Sequence, residues 1–220
     1  MLRSIIKRRR TRIAVAAVTL AGGLGLAVVP SLADAATACA EIDVVVARGT
    51  GEPGTLGVIV GDPVFAALRR ALAGRTLSNH AVDYPASLAP GSASIGNRAL
   101  VDHVTDQAAG CPDQRFILVG YSQGANVVDN SIGVSSAGAS VGGRIVAEIP
   151  AEIEPRVGAV LLFGNPIRAI GRSVTGVFQD RTLDICASGD PVCGGGRRAI
   201  AHLSYARDAT TAATFAARRV

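Results

Sequence analysis

Gly120-Tyr121-Ser122-Gln123-Gly124 leaves this chain few architectures to choose from. The pentapeptide follows the apolar run Phe116-Ile117-Leu118-Val119 and precedes Ala125-Asn126-Val127-Val128, which can continue as a helix. A G-x-S-x-G string between a buried strand and a helix is a sharp strand–turn–helix elbow. So tight a turn is expected to hold the serine at positive φ, a strain of about 1–3 kcal/mol. The flanking glycines let strand and helix approach, which lifts the Ser122 hydroxyl above the sheet edge. The peptide N–H of Gln123 then points to where the oxygen of a reacting carbonyl would sit. Gly-Ser strings also arise by chance in a chain with 26 glycines, so the assignment rests on the flanking elements and on partner residues elsewhere.

The rest of the chain supplies a sheet for that elbow. Ile42 to Ala47 is a short β-branched run and reads as the first strand, His80 to Tyr84 as the second, and Arg115 to Val119 as the central one. Val157 to Phe163 and Thr182 to Cys186 complete five. Between them, helices are expected over 63–73, where Pro63 suits the first turn and Gly74 the stop, and over 95–109 and 123–132. A final amphipathic helix is expected over 206–219, and a helix is also read over Arg144 to Ile149. Alternating strands and helices imply an α/β fold, a parallel sheet covered on both faces.

Residues 1–35 stand apart. Arg3, Lys7, Arg8, Arg9, Arg10 and Arg12 precede an apolar stretch from Ile13 to Val29, and Ala33-Asp34-Ala35 is an A-x-A cleavage pattern. This is a signal peptide pattern, with residues 36–220 as the mature domain. A retained anchor is the competing reading, but the Gly-rich run is short for a span and ends at Pro30. Without residues 1–35 the chain carries 16 basic and 16 acidic side chains and no lysine. The sequence pI of about 9.5 therefore reflects the leader, and the electrostatic case for nucleic acid disappears. Cys39, Cys111, Cys186 and Cys193 suit two disulfides in an exported chain, with three possible pairings. Cys186 and Cys193 flank a tight turn and are paired locally, which leaves Cys39 for Cys111. No C-x-x-C or nearby histidine pair suggests a metal.

A serine needs a base, and the base an orienting group. With the nucleophile on an elbow, the partners follow in the order Ser, Asp or Glu, His. His80 and His103 precede Ser122; only His202 follows it. Asp190, in the loop after the fifth strand, would lie at the C-terminal edge of the sheet beside the nucleophile. Asp180 precedes that strand and Asp184 lies within it, so both are weaker candidates. Thr50, just past the first strand, is the candidate second oxyanion donor besides the N–H of Gln123, through its own N–H and its hydroxyl. Gly49-Thr50-Gly51-Glu52-Pro53-Gly54 also fits the G-x-G-x-x-G dinucleotide pattern. Pro53 and Gly57 delay the helix such a site needs, and Asp83 lies too far on to meet a ribose, so the match is weak.

Several longer stretches carry a resemblance to the cutinase family, in the form of the actinobacterial cutinase-like serine esterases. They are Ala47-Arg48-Gly49-Thr50, Tyr84-Pro85-Ala86-Ser87, the elbow, Leu162-Phe163-Gly164-Asn165-Pro166, Cys186 to Cys193 with Asp190 between them, and His202-Leu203-Ser204-Tyr205. The resemblance spans nearly all of residues 39–219. It implies an α/β-hydrolase three-layer sandwich with a five-stranded parallel sheet and little or no lid. It implies Ser122, His202 and Asp190 as catalytic residues, an oxyanion hole at Thr50 and Gln123, and disulfides Cys39–Cys111 and Cys186–Cys193. The family often has serine at the Thr50 position; threonine keeps the hydroxyl but restricts its rotamer. The expected protein is a secreted or cell-wall-associated monomer, without metal or cofactor and without a membrane span once the leader is removed. It would act on carboxylic esters of short to medium acyl chains, cutin-like polyesters included. A lipase, phospholipase or acyltransferase using the same residues, or a non-enzymatic binding protein on this scaffold, are the alternatives.

Overall fold

Five strands hydrogen-bond side by side in the order β2-β1-β3-β4-β5, all parallel, in a computed structural model that describes residues 39–220. The signal-peptide assignment lies outside the described residues. The strands are β1 (Ile42–Ala47), β2 (Leu77–Ala81), β3 (Arg115–Tyr121), β4 (Val157–Phe163) and β5 (Thr182–Ile185). β1, β3 and β4 are the near-continuous apolar runs expected of strands buried on both faces. Their side chains alternate between two cores. Val45, Ala47, Phe116, Leu118, Val160 and Leu162 pack under helices α2 (Ser92–Gly110) and α3 (Gln123–Ser131). Val44, Val46, Ile117, Val119, Leu161 and Phe163 pack under α1 (Gly61–Ala71) and α5 (Ala209–Ala217). That period of two produces the three layers.

Three expectations shift. The second strand was expected at 80–84 but forms at 77–81, in register with Ile42 to Val46. Its sequence, Leu-Ser-Asn-His-Ala, suits a sheet edge and hides the strand; Ser78 donates to the Asp43 carboxylate at 2.6 Å. The more apolar Val82 and Tyr84 leave the ladder, and the Arg48 guanidinium donates to both their carbonyls, at 3.3 and 2.7 Å. The helix expected over 144–149 does not form. The segment is irregular, and side chains of α2 and α3 satisfy its backbone. Asn97 Oδ1 accepts from the N–H groups of Val146 and Ala147 at 2.8 and 3.1 Å, and its amide donates back to the Ala147 carbonyl at 2.8 Å. The closing helix begins later than expected, after a 3-10 turn at Tyr205–Asp208.

Candidate active site

Ser122 sits between β3 and α3 at φ 54° and ψ −118°. Its N–H donates to the Phe163 carbonyl on β4 at 2.9 Å, which anchors the elbow to the sheet. The elbow needs glycine at 124: a Cβ there would lie 1.9 Å from the Ala47 carbonyl oxygen on β1. The helix can therefore press against the neighbouring strand, and its first N–H groups open toward the sheet edge.

The loop after β5 and the short helix α4 (Ala199–His202) bring the other two side chains to the same edge. His202 Nε2 is 2.9 Å from Ser122 Oγ, and His202 Nδ1 is 2.7 Å from Asp190 Oδ2. An ionised carboxylate only accepts. Nδ1 therefore carries the proton, and Nε2 is free to take one from the serine hydroxyl. Room for the imidazole comes from Gly164, at φ 58°, where a Cβ would sit 2.7 Å from His202 Cε1. Asp190 is fully buried. Burial alone would raise its pKa, but the donors on it, the Tyr205 hydroxyl, His202 and the Val192 N–H, hold it below the ordinary value. The cysteines close as Cys186–Cys193, around the Asp190 turn, and Cys39–Cys111. The competing carboxylates lie elsewhere: Asp184 accepts from the Asn165 amide at 3.1 Å, and Asp180 sits in the 3-10 turn before β5. His80 and His103 stack on each other with ring centroids 3.5 Å apart, and His103 bonds Asp43 at 2.8 Å.

Thr50 lines a cleft of about 270 Å³ together with Ser122, Leu88, Val141, His202 and Leu203. Its hydroxyl is buried and has no hydrogen-bond partner, as expected of a group whose partner arrives with a ligand. The loop carrying it is built on Glu52, whose carboxylate accepts the N–H groups of Gly49 and Ile59 at 2.6 and 2.9 Å. That carboxylate occupies the backbone nest a dinucleotide pyrophosphate would need. No helix begins before Gly61, so the dinucleotide pattern has no site behind it. Gly51 N–H donates to the Ala86 carbonyl at 2.8 Å. The Gln123 side-chain amide donates to the Ser87 carbonyl at 2.8 Å and ties the same loop to the elbow. Among the described residues, the non-glycine positions at positive φ are Ala86, Ser122 and Val141, and all border this cleft or its supporting loops. Backbone strain collects at sites where structure overdetermines it. Sequence reasoning missed Glu52, Val141 and Tyr205; a carboxylate three residues after a loop glycine is the one local signal among them.

A serine–imidazole–carboxylate line above the C-terminal edge of this sheet defines an α/β hydrolase. The family model described as Cutinase matches residues 38–220. A cutinase of Kineococcus radiotolerans is 44% identical over 181 residues, which cover 80% of this chain and 60% of that protein. Phospholipase Culp4 of Mycobacterium tuberculosis is 36% identical over 97% of this chain and 92% of its own length. A Trichoderma reesei cutinase solved in complex with a phosphonate inhibitor superposes with a TM-score of 0.66 at 33% identity, covering 82% of this chain and 76% of that one. The chain belongs to the cutinase family of carboxylic ester hydrolases. Among the described residues, no helix is long and apolar enough to cross a membrane.

Proposed function

We propose that the protein is an exported serine esterase that hydrolyses carboxylic esters of short to medium acyl chains through Ser122, His202 and Asp190. The observation that carries this reading is the hydrogen-bonded line itself: Ser122 Oγ to His202 Nε2 at 2.9 Å and His202 Nδ1 to Asp190 Oδ2 at 2.7 Å. His202 takes the serine proton as Ser122 Oγ bonds to the ester carbonyl carbon. The oxyanion is met by the N–H groups of Thr50 and Gln123 and by the Thr50 hydroxyl. The C–O bond to the alcohol then breaks, and the alcohol leaves with the proton from His202. Water, deprotonated by the same imidazole, releases the acid and restores the serine. Asp190 stays ionised throughout and holds the imidazole in the required tautomer.

The small cleft, with Leu88 and Leu203 exposed at its rim, favours short chains that leave the remainder of the substrate in solvent. The A-x-A pattern and the two disulfides support export, with residues 1–35 as the leader and 36–220 as the catalytic domain. A second reading, phospholipid hydrolysis, is favoured by the likeness to phospholipase Culp4. The test is labelling with a fluorophosphonate probe, followed by p-nitrophenyl esters from acetyl to palmitoyl, a phospholipid, and an alcohol acceptor. Labelling and turnover are expected in the wild type. Ser122→Ala is expected to lose both, with kcat down by roughly 10⁴–10⁶-fold. Ready turnover by Ser122→Ala would sink the assignment, and a preference for the phospholipid would move it to the second reading.

A further inference from the structure

We propose that Tyr205 is a positioning residue, whose phenolic O–H, held on Asp190 Oδ2, aims the carboxylate at His202 and sets the pH above which the imidazole can accept the serine proton. The inference rests on the roles proposed for Ser122, His202 and Asp190.

Tyr205 is fully buried. Its oxygen lies 2.5 Å from Asp190 Oδ2 and accepts the Ala187 N–H at 3.0 Å. A phenol has one proton to give. The other polar neighbour, Cys193 Sγ at 3.4 Å, is locked in a disulfide and has no proton of its own. The tyrosine proton therefore points at the carboxylate. Oδ2 receives two donors, the Tyr205 O–H and the His202 Nδ1–H, while Oδ1 receives the Val192 N–H at 2.7 Å. The phenol cannot easily swing away, because its ring meets His202, Tyr121 and Phe163 edge-on at centroid distances of 6.1, 5.9 and 5.9 Å.

The spacing has a mechanical consequence. Tyr205 follows His202 by three residues, so one segment carries both the imidazole and the clamp on its carboxylate. Through Ala187 and Asp190 the same oxygen grips the start and the middle of the disulfide-closed loop. Tyr121, just before the nucleophile, donates to the His202 carbonyl at 2.7 Å and joins the elbow to that segment. The electronic consequence follows from sharing Oδ2. A second donor draws negative charge away from the Nδ1–H bond, so the carboxylate stabilises an imidazolium less than it otherwise would. Without the phenol the imidazole holds its proton to higher pH, and the carboxylate loses one of its three restraints.

The experiment is the pH profile of kcat/KM on a p-nitrophenyl ester for the wild type, Ser122→Ala, Tyr205→Phe, and protein with 3-fluorotyrosine replacing Tyr205. In Tyr205→Phe the acid limb is expected to move up by roughly half a unit to one unit, with a plateau lower by about tenfold and KM within about twofold. The fluorinated phenol keeps the shape but donates more strongly, and should move the limb down. A merely structural tyrosine would lower the melting temperature and the plateau and leave the limb in place. A folded Tyr205→Phe protein with the wild-type limb would overturn the proposal. Should that variant not fold, an unmoved limb in the fluorinated protein would do the same. An active Ser122→Ala protein would count against the function reading instead, so the two failures are distinguishable.

Discussion

At Ser122 the backbone holds a conformation that side chains rarely adopt, and everything that keeps it there comes from outside the residue. The strain, about 1–3 kcal/mol, is offset by the N–H bond to Phe163 on β4 and by the helix docking that Gly124 permits. Thr50 shows the other face of local compromise: a buried hydroxyl without a partner is a cost to folding. If the oxygen waits for an oxyanion, Thr50→Val, which keeps the branch and deletes the donor, should lower kcat by up to ~10²-fold. KM should change little, and the melting temperature should hold or rise. Steady-state kinetics on one ester together with a thermal melt check this; a wild-type kcat would assign the second donor to the backbone N–H alone. The residues that a sequence reader could pick for the site, Ser122, His202 and Asp190, were legible because the elbow fixes the first and the chain order then leaves one histidine. Glu52 and Tyr205 were not, since each is defined by hydrogen bonds set by the folded loops around it: Glu52 accepts from Gly49 and Ile59, and Tyr205 joins Ala187 to Asp190.

Among the described helices, α3 is the one whose every residue is buried, so it must satisfy its polar groups internally. Gln123, Asn126 and Asn130 do so by donating to carbonyls of the loops beside them. Asp129 is less well served. One oxygen is 3.5 Å from the Asn165 amide, which also serves Asp184, and the other has no partner. Burial, then the charge of Asp184, push the Asp129 carboxyl well above its ordinary range, against the pull of Asn165. Burial raises Asp184 as well, against the pull of Arg168 and Asn165. Between the unfolded value near 3.8 and the raised folded value, the folded chain binds a proton that the unfolded chain has already lost. Stability therefore falls as pH rises through that window. Asp129→Asn removes that titration. Its melting temperature relative to wild type should climb from pH 5 to pH 9, as read by calorimetry at three pH values; a constant difference would show that Asp129 is ionised across the range.

For the molecule as a whole, the parallel sheet does the gathering. Strand ends that share one direction put the loops after β1, β3 and β5 on one edge, and a triad scattered over 80 residues closes there. The two disulfides divide the remaining work. Cys39–Cys111 closes a separation of 72 residues and Cys186–Cys193 one of 7. Loop-closure entropy assigns them about 4 and about 2 kcal/mol. Replacing both members of the long pair by serine should lower the melting temperature by about 10 °C and spare kcat in the surviving folded fraction. Opening the short pair should cost less stability and more turnover, because it frees the loop that holds Asp190. Melts and kinetics on both double variants test the crossing. By itself the sequence determined the elbow, the alternation of buried strands with helices and the order of the reactive residues, because those follow from short-range sterics and from periodicity along the chain. Only the tertiary structure decided where β2 pairs, why residues 144–149 stay irregular, and which hydroxyl holds Asp190. Those outcomes depend on hydrogen bonds between groups 15 to 50 residues apart, and such bonds leave no pattern in the local sequence.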